Sequence, residues 1–372
     1  MHFRNSFSIL DEHRRTIVLL ANYRDSNRCA ETLNSLFSQA ARPDLLSVSI
    51  FDQVYPHERR CMDVYCANVG ESTCRRAQVV RRTDMLDAAA ATGPTLARHE
   101  TERGIDLNID TFALSIDSHL VFTSHWDMEL KRQWDGLANP RAILTTYPKS
   151  TEHQFNVAKI FTDWIGLGKF TRFCIFVFWG VDLMGLSSSG TTSVMCYARI
   201  ETDDADAMVQ FSATAEMFFI WTPRRIAQFA GGFNFGTAAA ALAVRNDPLT
   251  PFLFHGEEYS KAARLFTHGY DTYAPTVDIV YHWYESRPVI WERDWPERYV
   301  VSQRSKRRVR AMLGLPTSSN DWDPTNVSQF GLGKVRSFDA FVAFSGIDPR
   351  GPKLEPENSQ QFDSCKYHRH GP

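Results

Sequence analysis

The sequence predicts an α/β protein built on a sheet with parallel strands, and three consecutive segments near its start carry that prediction. Thr16, Ile17, Val18, Leu19, Leu20 and Ala21 form a continuous apolar run with β-branched members, the pattern of a strand buried on both faces. Between residues 27 and 40, Ala30, Leu33, Leu36 and Phe37 recur at helical spacing, and Pro43 follows the helix. Leu46, Val48 and Ile50 then alternate with Ser47 and Ser49, as a second strand does. A strand, a helix and a second strand in this order favour a parallel pair.

The elements that follow extend the pattern. Asp25 or Ser26 is placed to cap the first helix. Residues 52–76 read as polar and irregular, and 78–81 as a short third strand. A helix is expected to begin at Pro94, where proline is tolerated in the first turn, and to run to about residue 103. Residues 111–116 read as a strand ending at Asp117, residues 124–134 as a helix and 142–146 as another strand. In the second half, Gly231-Gly232-Phe233-Asn234-Phe235-Gly236 precedes an Ala-rich helix over 237–244. These features make the first 150 residues an α/β nucleotide-binding half and leave a second half over 191–348. Residues 165–190 read as an insertion, and 349–372 as a flexible tail rich in Pro, Gly and polar residues.

Composition narrows the partners. The chain has 372 residues, 43% of them hydrophobic and 23% charged, with 26 Phe, 12 Tyr and 9 Trp to fill a core. A formal net charge of -2 points to neither nucleic acid nor an anionic membrane. The basic run Arg304, Lys306, Arg307, Arg308 and Arg310 lacks the interleaved aromatics of a nucleic-acid module and is expected to face solvent or lie near a diphosphate. The start of the chain shows no apolar run of signal-peptide length, and the aromatic-aliphatic run over 173–186 is too short to span a bilayer. The seven cysteines are odd in number, so free thiols are expected rather than a disulfide framework; zinc at Cys61, Cys66 and Cys74 is the weaker alternative, since no C-x-x-C pair is present.

The chemistry-bearing motif is Asp117-Ser118-His119 at a strand end. Alternation along a strand points Asp117 and His119 the same way. A carboxylate and an imidazole on the carboxyl edge of an open sheet can hold a divalent cation, which serves a leaving diphosphate. Downstream, His255-Gly256-Glu257-Glu258 sets two acids at a predicted helix start, where the dipole favours them. Val280-Tyr281-His282-Trp283-Tyr284 offers His282 as a third ligand. Trp126 and Trp283 can stack on a sugar or serve the core; the core is the commoner fate of large aromatics.

Taken jointly, these motifs resemble the cytoplasmic N-acetylglucosaminyltransferases of glycosyltransferase family 60, which modify hydroxyproline on the adaptor subunit of SCF-type ubiquitin ligases. The matching residues are Ala21-Asn22-Tyr23-Arg24-Asp25 with Cys29; Ala91-Thr92-Gly93-Pro94-Thr95-Leu96-Ala97-Arg98; Ile116-Asp117-Ser118-His119; Trp126-Asp127; Tyr147-Pro148; Ala230-Gly231-Gly232-Phe233-Asn234-Phe235; Phe254-His255-Gly256-Glu257-Glu258; and His282-Trp283-Tyr284. More remotely the chain is similar to the polypeptide N-acetylgalactosaminyltransferases. The resemblance implies a GT-A type nucleotide-diphospho-sugar transferase fold, a mixed sheet flanked by helices. It implies a retaining transfer from UDP-N-acetylglucosamine with a divalent cation, usually manganese, to a protein hydroxyl. It further implies Asp117, His119 and His282 as cation ligands, Arg24, Asp25, Arg98 and Asp117 at the nucleotide, and Glu257 and Glu258 as the catalytic pair. In such retaining enzymes the departing phosphate takes the acceptor's proton, so no strong protein base is required. A different UDP-sugar or acceptor, or a non-catalytic UDP-sugar binder, are the alternatives.

Overall fold

The computed structural model describes residues 13–76, 80–154, 191–201, 205–218, 221–284, 297–350 and 360–361. The expected insertion over 165–190 and nearly all of the expected tail over 349–372 lie outside the described residues.

In chain order the first half runs β1 (Arg15–Tyr23), α1 (Ser26–Gln39), β2 (Leu46–Val54), α2 (Cys61–Val69), β3 (Val80–Asp87), α3 (Pro94–Glu102), β4 (Asp110–Asp117), β5 (Leu120–Phe122), α4 (Trp126–Gly136), β6 (Ala142–Thr145) and β7 (Lys149–Ser150). The second half runs β8 (Thr191–Ile200), β9 (Val209–Phe218), β10 (Arg224–Ile226), β11 (Phe233–Thr237), α5 (Ala238–Ala243), α6 (Glu257–Thr267), β12 (Asp271–Ala274), β13 (Val280–His282), α7 (Arg298–Met312) and α8 (Phe338–Ser345). Eight strands form one sheet in the order β10-β12-β6-β11-β4-β1-β2-β3, so both halves of the chain build it. β1, β2, β3 and β4 pair in parallel, whereas β11 runs antiparallel to β4 and β6.

Burial explains why this sheet forms. Val18 and Leu20 face Leu33 and Leu36 of α1, while Ile17 and Leu19 pack on the opposite face with Ala113 and Ala238. Every residue of β2 is buried, so the alternation read in its sequence does not mark a wet face; Ser47 and Ser49 are covered as well. The stretch read as irregular contains a helix, α2, whose Cys61, Met62, Val64, Tyr65 and Cys66 are all buried.

The cysteines correct the expectation of free thiols. Cys29 in α1 is disulfide-bonded to Cys61 at the start of α2, and Cys66 to Cys74. The odd count concealed these pairs, because it cannot say which cysteines the fold brings together. The basic run is corrected in part: Arg304 is exposed as expected, beside Asp321, and the rest is not. It lies on α7, where Arg308 is fully buried and Lys306 and Arg310 nearly so. Arg308 pairs with Asp247 at 2.7 Å, Lys306 with Glu201 at 2.8 Å and Arg307 with Asp206 at 3.3 Å. These acids are distant in sequence, so the run read in isolation as a solvated face.

Candidate active site

The carboxyl ends of the parallel strands open into a cleft of 490 Å³. Asp117 closes β4 and His119 lies just beyond it, before β5. A small second sheet, β5-β13-β7, brings in His282. His282 pairs with Leu120 in register, and the Trp283 N–H donates to the His119 carbonyl at 3.1 Å. The His119 and His282 rings meet edge to face, with centroids 4.5 Å apart. One ligand atom each from Asp117, His119 and His282 lie within 4.8 Å of one another, and no other such group of His, Cys, Asp or Glu occurs among the described residues.

The donor set suits a divalent cation of the manganese or zinc type, one hard carboxylate oxygen with two imidazole nitrogens. Burial pushes the Asp117 carboxyl upward, but the neighbouring His282 and the charges of Arg98 and His119 outweigh it and hold the group ionised. His282 Nε2 stands 3.7 Å from Asp117 Oδ2, and its buried Nδ1 has no hydrogen-bond partner among the described residues. The Tyr284 ring lies against His282 at 4.0 Å between centroids. His119 Nδ1 is 3.4 Å from Asp25 Oδ2 and 3.4 Å from the Ser118 hydroxyl oxygen.

Next to this group sits a charge-paired bridge. Arg98 of α3 donates to Glu257 Oε1 and, at 3.3 Å, to Asp117 Oδ1. Its own burial lowers its pKa, and the three carboxylates of Glu257, Asp117 and Glu258 more than reverse that. Glu257 and Glu258 begin α6, preceded by Gly256 at φ +91°, a turn that glycine makes without strain. Glu258 accepts from the Gly231 N–H at 2.8 Å and from the Tyr147 hydroxyl. Burial, with Glu257 beside it, pushes Glu258 up to about 7 against the pull of Tyr147, Gly231 and Arg98. Gly231 and Gly232 are glycines for want of space. A Cβ on Gly231 would strike the Arg98 guanidinium, and one on Gly232 the Asp117 carboxylate.

Thus the structure brings together Arg98, Asp117, His119, Glu257, Glu258 and His282, all of which line the cleft. Arg24 and Asp25 do not line it. Arg24 pairs with Glu58 at 3.0 Å over the Tyr55 ring, and Asp25 sits at the N-cap of α1 without capping it, paired with Arg28 at 2.9 Å. Trp126 is fully buried in the core, its Nε1 donating to the Leu36 carbonyl. Sequence reasoning assigned no role to Tyr147, Gly231, Gly232, Gln53 or Tyr284; the adjacent glycines before a strand were the available signal for two of them.

A mixed sheet with a carboxylate-imidazole group at its parallel carboxyl edge, beneath a cleft lined by Arg98 and the α6 acids, defines a glycosyltransferase of the GT-A fold. The chain belongs to the Glycosyltransferase (GlcNAc) family, which it matches over residues 16–79 and 63–351. Among solved structures it is similar in fold to GalNAc-T7 with UDP, GalNAc and Mn2+, at a TM-score of 0.50 and 13% identity, over 92% of this chain and 59% of that one. Staphylococcus aureus TarS 1–349 in complex with UDP-GlcNAc gives a TM-score of 0.45 at 11% identity, over 82% of this chain and 68% of that one. No curated protein sequence matches the chain. No helix among the described residues is long and apolar enough to cross a membrane.

Proposed function

We propose that the protein moves N-acetylglucosamine from UDP-N-acetylglucosamine to a protein hydroxyl, with a divalent cation, manganese foremost, held by Asp117, His119 and His282. The observation that carries this reading is the convergence of those three side chains at the rim of the cleft. When bound, the cation supplies positive charge to the leaving diphosphate.

The chain's own residues do the rest. Arg98 fixes the Asp117 and Glu257 carboxylates at a set separation, leaving both oriented toward the cleft. The Gly231-Gly232 backbone lets Arg98 and Asp117 approach without a side chain between them. Glu257 orients a hydroxyl of the sugar or acceptor. Both Glu258 oxygens are engaged, so it acts by holding Gly231 and Tyr147 in place. The resemblance extends the reading to retention of configuration and to a hydroxyproline acceptor on an SCF adaptor subunit. It also carries a cytoplasmic location, against which the paired cysteines count.

Calorimetry of UDP with and without manganese tests the centre of the proposal. Affinity should rise at least tenfold with the metal, and Asp117→Ala should remove that gain; affinity indifferent to manganese would sink the reading. A panel of UDP-sugars in a hydrolysis assay then fixes the donor, and NMR of the product anomer fixes the stereochemistry.

A further inference from the structure

We propose that Thr32 is a positioning residue for the cation group: its one hydroxyl holds the backbone on both sides of His119 and so sets where the imidazole stands. The proposal deepens the cation reading above and rests on it.

His119 lies where the chain leaves the large sheet at the end of β4 and enters the small one at β5. A segment that changes sheets gives up ladder hydrogen bonds, and its buried backbone groups must find other partners. Ser118, His119 and Leu120 are all buried. The His119 carbonyl accepts from the Trp283 N–H at 3.1 Å. The peptide groups on either side of the His119 Cα are both taken up by Thr32. Its Oγ1 donates to the Ser118 carbonyl at 3.2 Å and accepts from the Leu120 N–H at 2.9 Å. Each peptide group is a rigid plane, and the His119 Cα joins the two. Holding both planes therefore fixes the direction in which the His119 side chain leaves the backbone.

Thr32 sits inside α1 and is 0% exposed. A threonine within a helix can return its hydroxyl to a carbonyl about one turn back. Thr101 and Thr267 do so in this chain, bonding the Arg98 and Arg264 carbonyls at 2.8 and 3.1 Å. Thr32 instead turns its hydroxyl away from its own helix and onto the β4–β5 connection. The helix behind it is anchored in the core by Cys29, Ala30, Leu33 and Leu36. Ser35, further along α1, accepts from the Phe122 N–H at 2.8 Å. Two hydroxyls of α1 thus reach the same stretch of chain, and Thr32 is the one that touches the peptide groups of a cation ligand. Partners that hold a metal ligand in place typically account for roughly 10–100-fold of metal affinity.

The test titrates manganese into protein saturated with UDP, read by electron paramagnetic resonance, and measures UDP affinity without metal by calorimetry. Thr32→Val keeps the volume and removes the hydroxyl; it should weaken manganese binding by about tenfold or more and leave metal-free UDP affinity unchanged. Thr32→Ser restores the hydroxyl and should bind manganese within about threefold of wild type. Ser35→Ala loses a backbone bond of the same kind from the same helix, away from His119, and should bind manganese as the wild type does. A Thr32→Val protein with wild-type manganese affinity overturns the proposal. So does a loss in Thr32→Ser or Ser35→Ala equal to that in Thr32→Val, because general loosening of α1 would then account for it. If Thr32→Val does not fold, Thr32→Ala carries the same expectation. Wild-type protein that takes up no manganese in the presence of UDP overturns the cation reading itself, and this proposal with it.

Discussion

Gly232 shows how tightly single residues are bound to the chemistry here. Its missing Cβ is the space taken by the Asp117 carboxylate. Gly232→Ala must therefore push Asp117 away from His119 and His282. The expected result is at least a tenfold loss of manganese-dependent UDP affinity by calorimetry, with circular dichroism unchanged. Gly136→Ala, whose Cβ meets nothing within 4 Å, is the matching control. Glu258 yields a second prediction at this scale. Its folded pKa of about 7 exceeds the 4.5 of an ordinary carboxyl, so the folded state holds the proton more tightly. Its contribution to stability is present below pH 4.5 and is lost as pH rises through 7. Denaturant unfolding of apo protein at pH 5.5 and pH 8 should show the wild type losing about 2 kcal/mol more than Glu258→Gln over that interval. An identical loss in both proteins would remove Glu258 as the titrating group.

Among the elements, α1 and α2 depend on a covalent link that composition did not disclose. Cys29–Cys61 closes a loop with a sequence separation of 32, and Cys61→Ser should cost about 3–4 kcal/mol in denaturant unfolding. Alkylation of denatured, unreduced protein should leave Cys29, Cys61, Cys66 and Cys74 unmodified in mass spectrometry; four labelled thiols would restore the free-thiol expectation. The same elements show what a sequence discloses and what it hides. β1, α1, α3, β4 and α4 were legible because their apolar spacing and their Pro94 signal are local. α2 was hidden because its buried face is built of Cys, Met and Tyr amid polar neighbours. Strand alternation placed Asp117 and His119 on one side, and the downstream Gly256-Glu257-Glu258 segment made them cation-ligand candidates. His282 was legible only once Asp117 and His119 had suggested a cation site, since its approach depends on β13 pairing with β5, a contact between distant segments.

At the scale of the whole molecule, α7 turns most of a basic run expected to face solvent or a diphosphate into an internal tie. Its Arg308 is fully buried and grips Asp247 through two nitrogens, at 2.7 and 3.2 Å, and the Asp323 carbonyl as well. Removing one member of such a pair leaves a buried charge without compensation, whereas replacing both removes the desolvation penalty along with the attraction. Arg308→Met should then destabilise by about 3–5 kcal/mol in urea unfolding, and adding Asp247→Leu should recover a substantial part of it. A solvated phosphate-binding run behaves in the opposite way: Arg308→Met would leave stability unchanged and would weaken retention on DNA at low salt. Because the guanidinium sits inside the protein, the wild type should not be retained on DNA through this residue, and raising the salt should barely shift the unfolding difference between wild type and Arg308→Met. The basic character of α7 therefore belongs to the stability of the domain that holds the cleft, and a ligand for it need not be sought outside.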